Sequence, residues 1–196
     1  MGLMPEDAAD LVKGAAEGDR SCWESLVDAY GGLIWAITRN HRLSQGDAAD
    51  VRQTTWLRLL ENIDRLNEPG RVGAWLATTA RRECLRLSAR RKRTILVADE
   101  TDLELDPLHA QAPELDDGLL LAERDEALRA AFVTLNPRCQ ELLRLMLLDP
   151  APSYEEISAA LGMPVGSIGP TRGRCLDKLR ALVKDSGIES ASARSL

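Results

Sequence analysis

The sequence predicts an all-α protein: two small helical domains, a helical bundle and a helix-turn-helix domain, joined by an extended acidic linker. Three observations carry that prediction. Apolar residues recur at three-to-four spacing through most of the 196 residues, the period of an amphipathic helix. The alternation of β-branched and polar residues that marks a strand is absent. Charge is segregated, with Arg81, Arg82, Arg86, Arg90, Arg91, Lys92 and Arg93 set against the single acid Glu83. The next stretch, residues 95–121, contains Asp99, Glu100, Asp102, Glu104, Asp106, Glu114, Asp116 and Asp117 and no Lys or Arg. Pro107 and Pro113 interrupt it, and no helical period is sustained, so it reads as a linker. It separates a first body, residues 7–94, from a second, residues 122–184, with a polar tail at 185–196.

In the first body, Asp19 to Asn40 places Trp23, Leu26, Val27, Tyr30, Leu33, Ile34 and Ile37 on one helical face despite the Gly31-Gly32 pair. Asp47 to Ile63 repeats the pattern with Val51, Thr55, Trp56, Leu59, Leu60 and Ile63. The Asn67-Glu-Pro-Gly70 run breaks the chain, and a third helix starts near Val72 and runs into the arginine cluster.

In the second body, Asn136-Pro137 is a helix start, since Asn accepts a first-turn amide and Pro suits the first helical position. Ser153-Tyr-Glu-Glu156 fits a capping box, and Gly162 supplies the left-handed residue that ends that helix. A second helix with Arg172, Arg174, Lys178 and Arg180 follows, completing the helix-turn-helix layout whose second helix enters the DNA major groove. Ile157, Leu161, Ile168, Leu176 and Leu179 are expected to share one core. Pro170 is tolerable if Ser167 or a close neighbour is the cap, and kinks a helix already begun at Pro164. Because Gly169-Pro170 removes side-chain reach, Thr171, Arg172 and Arg174 are the preferred base readers, with Ser167 and Lys178 beside them. The plain alternative is an amphipathic pair that serves only as scaffold.

A net charge of −6 gives the whole chain no general attraction for nucleic acid, so binding has to be local. Helix-end electrostatics favour a cation or two; seven within thirteen residues point instead to phosphate neutralisation. Trp75, just upstream, is either core or a base-stacking platform. The polar face of the Asp47–Leu60 stretch is either solvated surface or a docking face. The four cysteines, Cys22, Cys84, Cys139 and Cys175, form no close pair, which argues against a metal site. Each is expected to be a small buried or half-buried thiol. No glycine-rich phosphate loop, metal cluster or Ser/His/Asp set points to an enzyme or a cofactor. No apolar run approaches a membrane span, and the acidic N-terminus is unlike a signal peptide. The expectation is a cytoplasmic protein without membrane insertion.

The run Asp47-Ala-Ala-Asp-Val-Arg-Gln-Thr-Thr-Trp-Leu-Arg-Leu-Leu60, followed by Ala74-Trp-Leu and an arginine-rich helix, resembles region 2 of bacterial sigma-70-type initiation factors. The Asn136-Pro-Arg start and the Ser153–Arg180 motif resemble their region 4. With two regions and a short linker, the chain is similar to the small extracytoplasmic-function (ECF) group. The resemblance implies a partner, core RNA polymerase. Asp47, Asp50, Gln53, Leu57 and Leu60 would dock on the clamp helices of its β′ subunit. Arg71, Trp75, Arg81, Arg82, Arg86, Arg90 and Arg91 would act at the −10 element, on double- and single-stranded promoter DNA.

By the same resemblance, the Ala122–Leu148 helices would hold the flap of the β subunit, and the Thr171–Lys178 helix would read the −35 element. The linker would lie in the polymerase's nucleic-acid channel, and an anti-sigma partner is plausible. The chain departs from the family at Arg81-Arg82, Arg86 and Gly169-Pro170-Thr171, all promoter-reading positions, so its target sequence is its own. The alternative to this reading is a self-sufficient helix-turn-helix regulator. Such proteins dimerise on palindromic sites, and no dimerisation helix is evident.

Overall fold

The computed structural model describes residues 3–41, 43–95 and 119–185, apart from the side chains of residues 91–95, 119–125, 127 and 185. The linker expected at 95–121, the tail beyond 185 and the side chains of Arg91, Lys92 and Arg93 lie almost wholly outside these residues. Among the described residues there are eight α-helices and no strand, as the periodicity predicts.

Helix α1 (Pro5–Ala16) is not among the helices that the periodicity predicts. Pro5 opens it, Glu6 and Asp7 lie in its first turn and Lys13 in its last, a charge order that suits the helix dipole. It buries only Ala8 and Val12, so its apolar face is too small to give a clear period. Helix α2 (Arg20–Asn40) begins at Asp19, whose carboxylate accepts the amides of Ser21 and Cys22. Helix α3 (Gln45–Asn62) is capped by Ser44, which accepts the Asp47 amide at 3.2 Å and donates to the Asp47 carboxylate at 2.9 Å. Two 3₁₀ turns, Ile63–Arg65 and Pro69–Arg71, lead into α4 (Val72–Ile95). Helices α5 (Leu119–Thr134), α6 (Pro137–Met146), α7 (Tyr154–Leu161) and α8 (Val165–Asp185) follow.

Two compact units divide the chain: Met1–Glu104 with Arg144–Ile168, and Leu105–Leu143 with Gly169–Leu196. In the first, α4 packs on α2, α3 and α7, and α1 lies on α2 and the second 3₁₀ turn. Leu26, Ile34, Ile37, Val51, Leu59, Val72 and Leu76 are fully buried there. The ring of Trp23 meets that of Trp56 edge-on at 6.0 Å. Two residues that the sequence pattern assigns to apolar faces lie at the surface instead: Val27 is on the rim and Leu60 is 57% exposed. On α3 the buried row is Val51, Thr55, Leu59 and Ile63, and Leu60 falls about 100° round from Leu59.

The expected common core of the second body is divided. Ile157, Leu161 and Ile168 are buried within the first unit, whereas Leu176 and Leu179 pack against Leu135, Cys139, Leu143 and Cys175 in the second. The reason lies in α7, whose apolar face meets α4.

The free-thiol expectation fails for two of the four cysteines. Cys139 and Cys175 form a disulfide, while Cys22 and Cys84 remain free. The two sequence positions are 36 apart, so no spacing rule exposes the pair; helix packing brings them together. A cross-link over that loop is worth about 4 kcal/mol in the chain-entropy account.

The capping predictions for the helix-turn-helix hold. Ser153 accepts the Glu156 amide at 3.3 Å, the Glu156 carboxylate accepts the Ser153 amide at 2.6 Å, and Gly162 is left-handed at φ 60°. Asn136 accepts the Cys139 amide at 2.8 Å. Ser167 is not the cap of α8, which starts at Val165 and carries Pro170 inside it. Pro170 has no amide to give the Gly166 carbonyl. Gly166 is exposed, so water can take that bond.

Candidate nucleic-acid interface

The basic surface of α4 follows from its register. Val72, Leu76, Ala77, Ala80 and Cys84 are buried, which turns Arg82, Leu85, Arg86, Ala89 and Arg90 outward. Arg82, Arg86 and Arg90 succeed one another every four residues, spanning about 12 Å of helix axis. One DNA strand presents three to four phosphates over that rise, at roughly 3.4 Å each. Arg86 also touches Glu83 at 3.3 Å, and Glu83 is held by Arg58 at 2.9 Å.

Leu85, 45% exposed, is a surface residue that the sequence-based site does not contain. With Arg86, Ala89 and Arg90 it lines a shallow hollow, an apolar contact inside a cationic stripe. Its position one residue before Arg86 and three after Arg82 is the signal that points to it.

Arg71, Trp75 and Arg81 are placed differently. Arg71 precedes α4 and is ion-paired with Glu68 at 2.9 Å and Glu155 at 3.3 Å. Both pairs are exposed, worth about 0–1 kcal/mol each, so a phosphate can replace either acid. Arg81 is half-buried, its guanidinium lying over the open face of Gly162, where any Cβ would strike it. Trp75 is half-buried, partly core and partly available.

Around α7 the charges are tightly packed. Glu156 reaches across to Gly73 and the ring of Tyr30. Burial pushes the Tyr30 hydroxyl up to about 12, with the Glu156 charge adding to it. Burial likewise raises the Glu156 carboxyl above its ordinary 4.5, although the hydrogen bonds from Ser153 pull the other way. His41 is lowered by burial and then by Arg81, both of which favour the neutral imidazole.

A raised carboxyl pKa means that folding favours the protonated form. The contribution of Glu156 is therefore fully present below the unfolded value and lost as pH rises through the folded one. Glu156→Gln, which cannot ionise, should gain in melting temperature relative to the parent as pH goes from about 4 to 7. A difference that is constant with pH would assign the burial cost elsewhere.

On α8 the helical register sorts the candidates. Ser167, Arg174 and Lys178 share one face. Thr171 stands at its edge and holds Arg174, whose Nη2 donates to the Thr171 hydroxyl at 3.2 Å. Arg172 lies about 160° round from Arg174 and is exposed on the opposite flank. Arg172 and Arg174 therefore do not address the same base pairs. Ser167 is partly occupied, its hydroxyl donating to the Pro164 carbonyl at 2.7 Å.

The outer face of α3 carries Asp50, Gln53, Leu57 and Leu60 in one row, all exposed. Leu57 is 50% and Leu60 57% exposed. Asp47 stands at the margin of that row and serves the helix cap. A separate surface feature, one that no sequence motif signals, is Trp35 on α2. It is 44% exposed and lies under the Arg39 guanidinium at 4.8 Å. Among the described residues no group of acids, histidines and cysteines is disposed to hold a metal, and no helix is long and apolar enough to cross a membrane.

The capped helix-turn-helix, the arginine face and the exposed polar-to-apolar row lie on a scaffold that is helical and without strands among the described residues, and the relatives of this chain place it among proteins of the transcription apparatus. Residues 26–94 match the sigma-70 region 2 family model. The chain is 33% identical over 142 residues to the ECF RNA polymerase sigma factor EcfG of Rhodopseudomonas palustris, covering 72% of this chain and 74% of that protein. It is 27% identical over 183 residues to the ECF RNA polymerase sigma factor SigE of Mycolicibacterium smegmatis, covering 91% and 69%. The chain belongs to the ECF family of RNA polymerase sigma factors.

The fold is also that of two solved complexes. CnrH with the cytosolic domain of CnrY aligns at TM-score 0.53 and 21% identity, over 91% of this chain and 98% of that one. The sigma factor RpoE with the anti-sigma factor NepR, from Bartonella quintana, aligns at TM-score 0.57 and 23% identity, over 83% and 96%.

Proposed function

We propose that this sigma factor docks on core RNA polymerase through the Asp50–Gln53–Leu57–Leu60 row, with Asp47 at its margin, and directs it to a two-part promoter. The observation that carries the reading is the pairing of that exposed row on α3 with the arginine face of the adjacent α4. In this reading residues 7–94 bind the β′ clamp helices and the −10 element. Arg82, Arg86 and Arg90, with Arg91, follow the DNA backbone, and Trp75 stacks on an unpaired base once the duplex opens. Arg71 joins them by exchanging Glu68 or Glu155 for phosphate, and Arg81 by moving from Gly162 to phosphate. Residues 122–184 hold the β flap and read the −35 element through Thr171, Arg174, Lys178 and Ser167. The factor itself makes and breaks no covalent bond in transcription, and it works in the cytoplasm, where its polymerase and promoters are. An anti-sigma partner fits the same reading, supported by the likeness to a sigma factor solved with NepR.

The deciding experiment is transcription in vitro with core enzyme, followed by mapping of start sites. The expected result is weak DNA affinity alone and sequence-specific initiation with polymerase. Tight, specific binding by the isolated chain would favour a self-sufficient regulator instead. Within the holoenzyme, Arg174→Ala should weaken the upstream element by about 1–3 kcal/mol, selectively among sequences. Arg172→Ala should act equally on all sequences. Competition with mutated upstream elements measures both, and the reverse ranking would place the reading face on the other flank of α8.

A further inference from the structure

Cys139 lies in the first turn of α6, under the Asn136 cap, and Cys175 lies near the middle of α8. Their Cα atoms are 5.4 Å apart, within the range that two cysteines bridge without backbone movement. The sulfurs sit among Leu135 and Leu143, ringed by Phe132, Leu176, Leu179 and Leu182. Cys139 is 7% exposed and Cys175 1%. The bond thus fastens α6 directly to the helix that carries Thr171, Arg174 and Lys178, with Cys175 next to Arg174 in sequence.

We propose that Cys139 and Cys175 are a reversible thiol–disulfide site, whose oxidation fixes α8 to α6 and whose reduction loosens it. The proposal rests on the sigma-factor reading for one step: such a factor works among reduced thiols, where a disulfide is normally transient and sensory. As thiols both residues still suit an apolar cluster, so the reduced protein remains folded. The two sulfurs must nevertheless separate to non-bonded distance inside a close-packed interior, and the constraint between the helices is lost.

The oxidant is a hydroperoxide, ROOH. The thiolate of Cys139, the more exposed of the two, attacks a peroxide oxygen. The O–O bond breaks, ROH leaves with a proton, and Cys139 becomes a sulfenic acid. The sulfur of Cys175 then attacks that of Cys139, the S–O bond breaks, and water leaves with the Cys175 proton. Two thiols and one ROOH give one disulfide, one ROH and one water, with two electrons passing to the peroxide. Cys22 and Cys84 are free and stand outside the cluster.

The full chain is equilibrated in glutathione buffers from reduced to oxidised, then alkylated and weighed. In parallel, amide hydrogen exchange is followed over residues 171–180. The bond should open in excess reduced glutathione and close on adding tert-butyl hydroperoxide. Opening should speed exchange in this segment by roughly tenfold or more, reading local stability. Cys175→Ala and, independently, Cys139→Ser should each exchange like the reduced parent under all conditions. With core polymerase and sheared genomic DNA, oxidation should raise transcription several-fold for the parent and not for either variant. A bond that persists in reduced glutathione, or one that never forms with the hydroperoxide, overturns the proposal. So does opening without any change in exchange. Redox-dependent exchange with no transcription in either state would uphold the thiol site and count against the sigma-factor reading.

Discussion

Gly73→Val should cost roughly 3 kcal/mol of stability, the upper end of what overpacking does to a filled interior. A Cβ at this position would run into the Glu156 carboxylate and the edge of the Tyr30 ring. Neither neighbour can step aside cheaply. Tyr30 is 5% exposed, and Glu156 is tied by its oxygen to the Ser153 amide at 2.6 Å. Moving Glu156 therefore breaks the capping box of α7, and moving Tyr30 opens the core under α2. Gly73→Ala should lose about half as much, because alanine recovers up to about 1 kcal/mol of helix propensity. The matched control is Gly166→Ala in α8, where a Cβ meets open space; there the propensity gain stands alone and stability should rise. Urea denaturation reads all three. If Gly73→Val were as stable as the parent, α7 would not be seated on α4 in solution.

The features legible in the sequence are those that local rules govern. The boundaries of α2, α3 and α4 follow from one-face periodicity, and those of α7 from Ser153, Glu156 and Gly162, whose chemistry is local. Asp50, Gln53, Leu57 and Leu60 fall three and four residues apart, so the spacing alone puts them on a common face. The failures are mostly of longer range. α1 has alanines where a period needs leucines, so only Pro5 and its acids announce it. The Cys139–Cys175 bond depends on how α6 meets α8, which no spacing encodes. Ile157 and Leu161 are buried as their pattern predicts, but their helix packs on α4, more than sixty residues earlier. Pro170 sits inside α8 because the exposure of Gly166 makes the missing amide cheap, and propensity weighs only the amide. Arg172 and Arg174 are close in sequence, yet on a helix two residues apart means nearly opposite flanks.

Leu57→Ala with Leu60→Ala should weaken assembly with core polymerase roughly 30- to 100-fold while leaving the fold intact. The two leucines already expose about half their surface, so truncating them leaves the interior undisturbed, and surface changes of this kind are usually within about 0.5 kcal/mol. Covering the exposed half of a leucine is worth about 1–1.5 kcal/mol at the usual area coefficient. Two such residues give about 2–3 kcal/mol, which at 1.4 kcal/mol per decade is the loss stated. Asp50→Ala with Gln53→Ala removes exposed polar contacts, worth about 1 kcal/mol or less where solvent screens them, and should cost only a few-fold. The ranking itself is the prediction: the apolar end of the row outweighs the polar end. Trp35→Ala tests whether any exposed apolar group would serve, since Trp35 is similarly accessible but lies on α2, outside the row; it should bind polymerase normally. Affinity is read from titration of core enzyme with labelled protein, and folding from the thermal melt. Should the leucine pair bind like the parent while Trp35→Ala fails, the docking face belongs to α2.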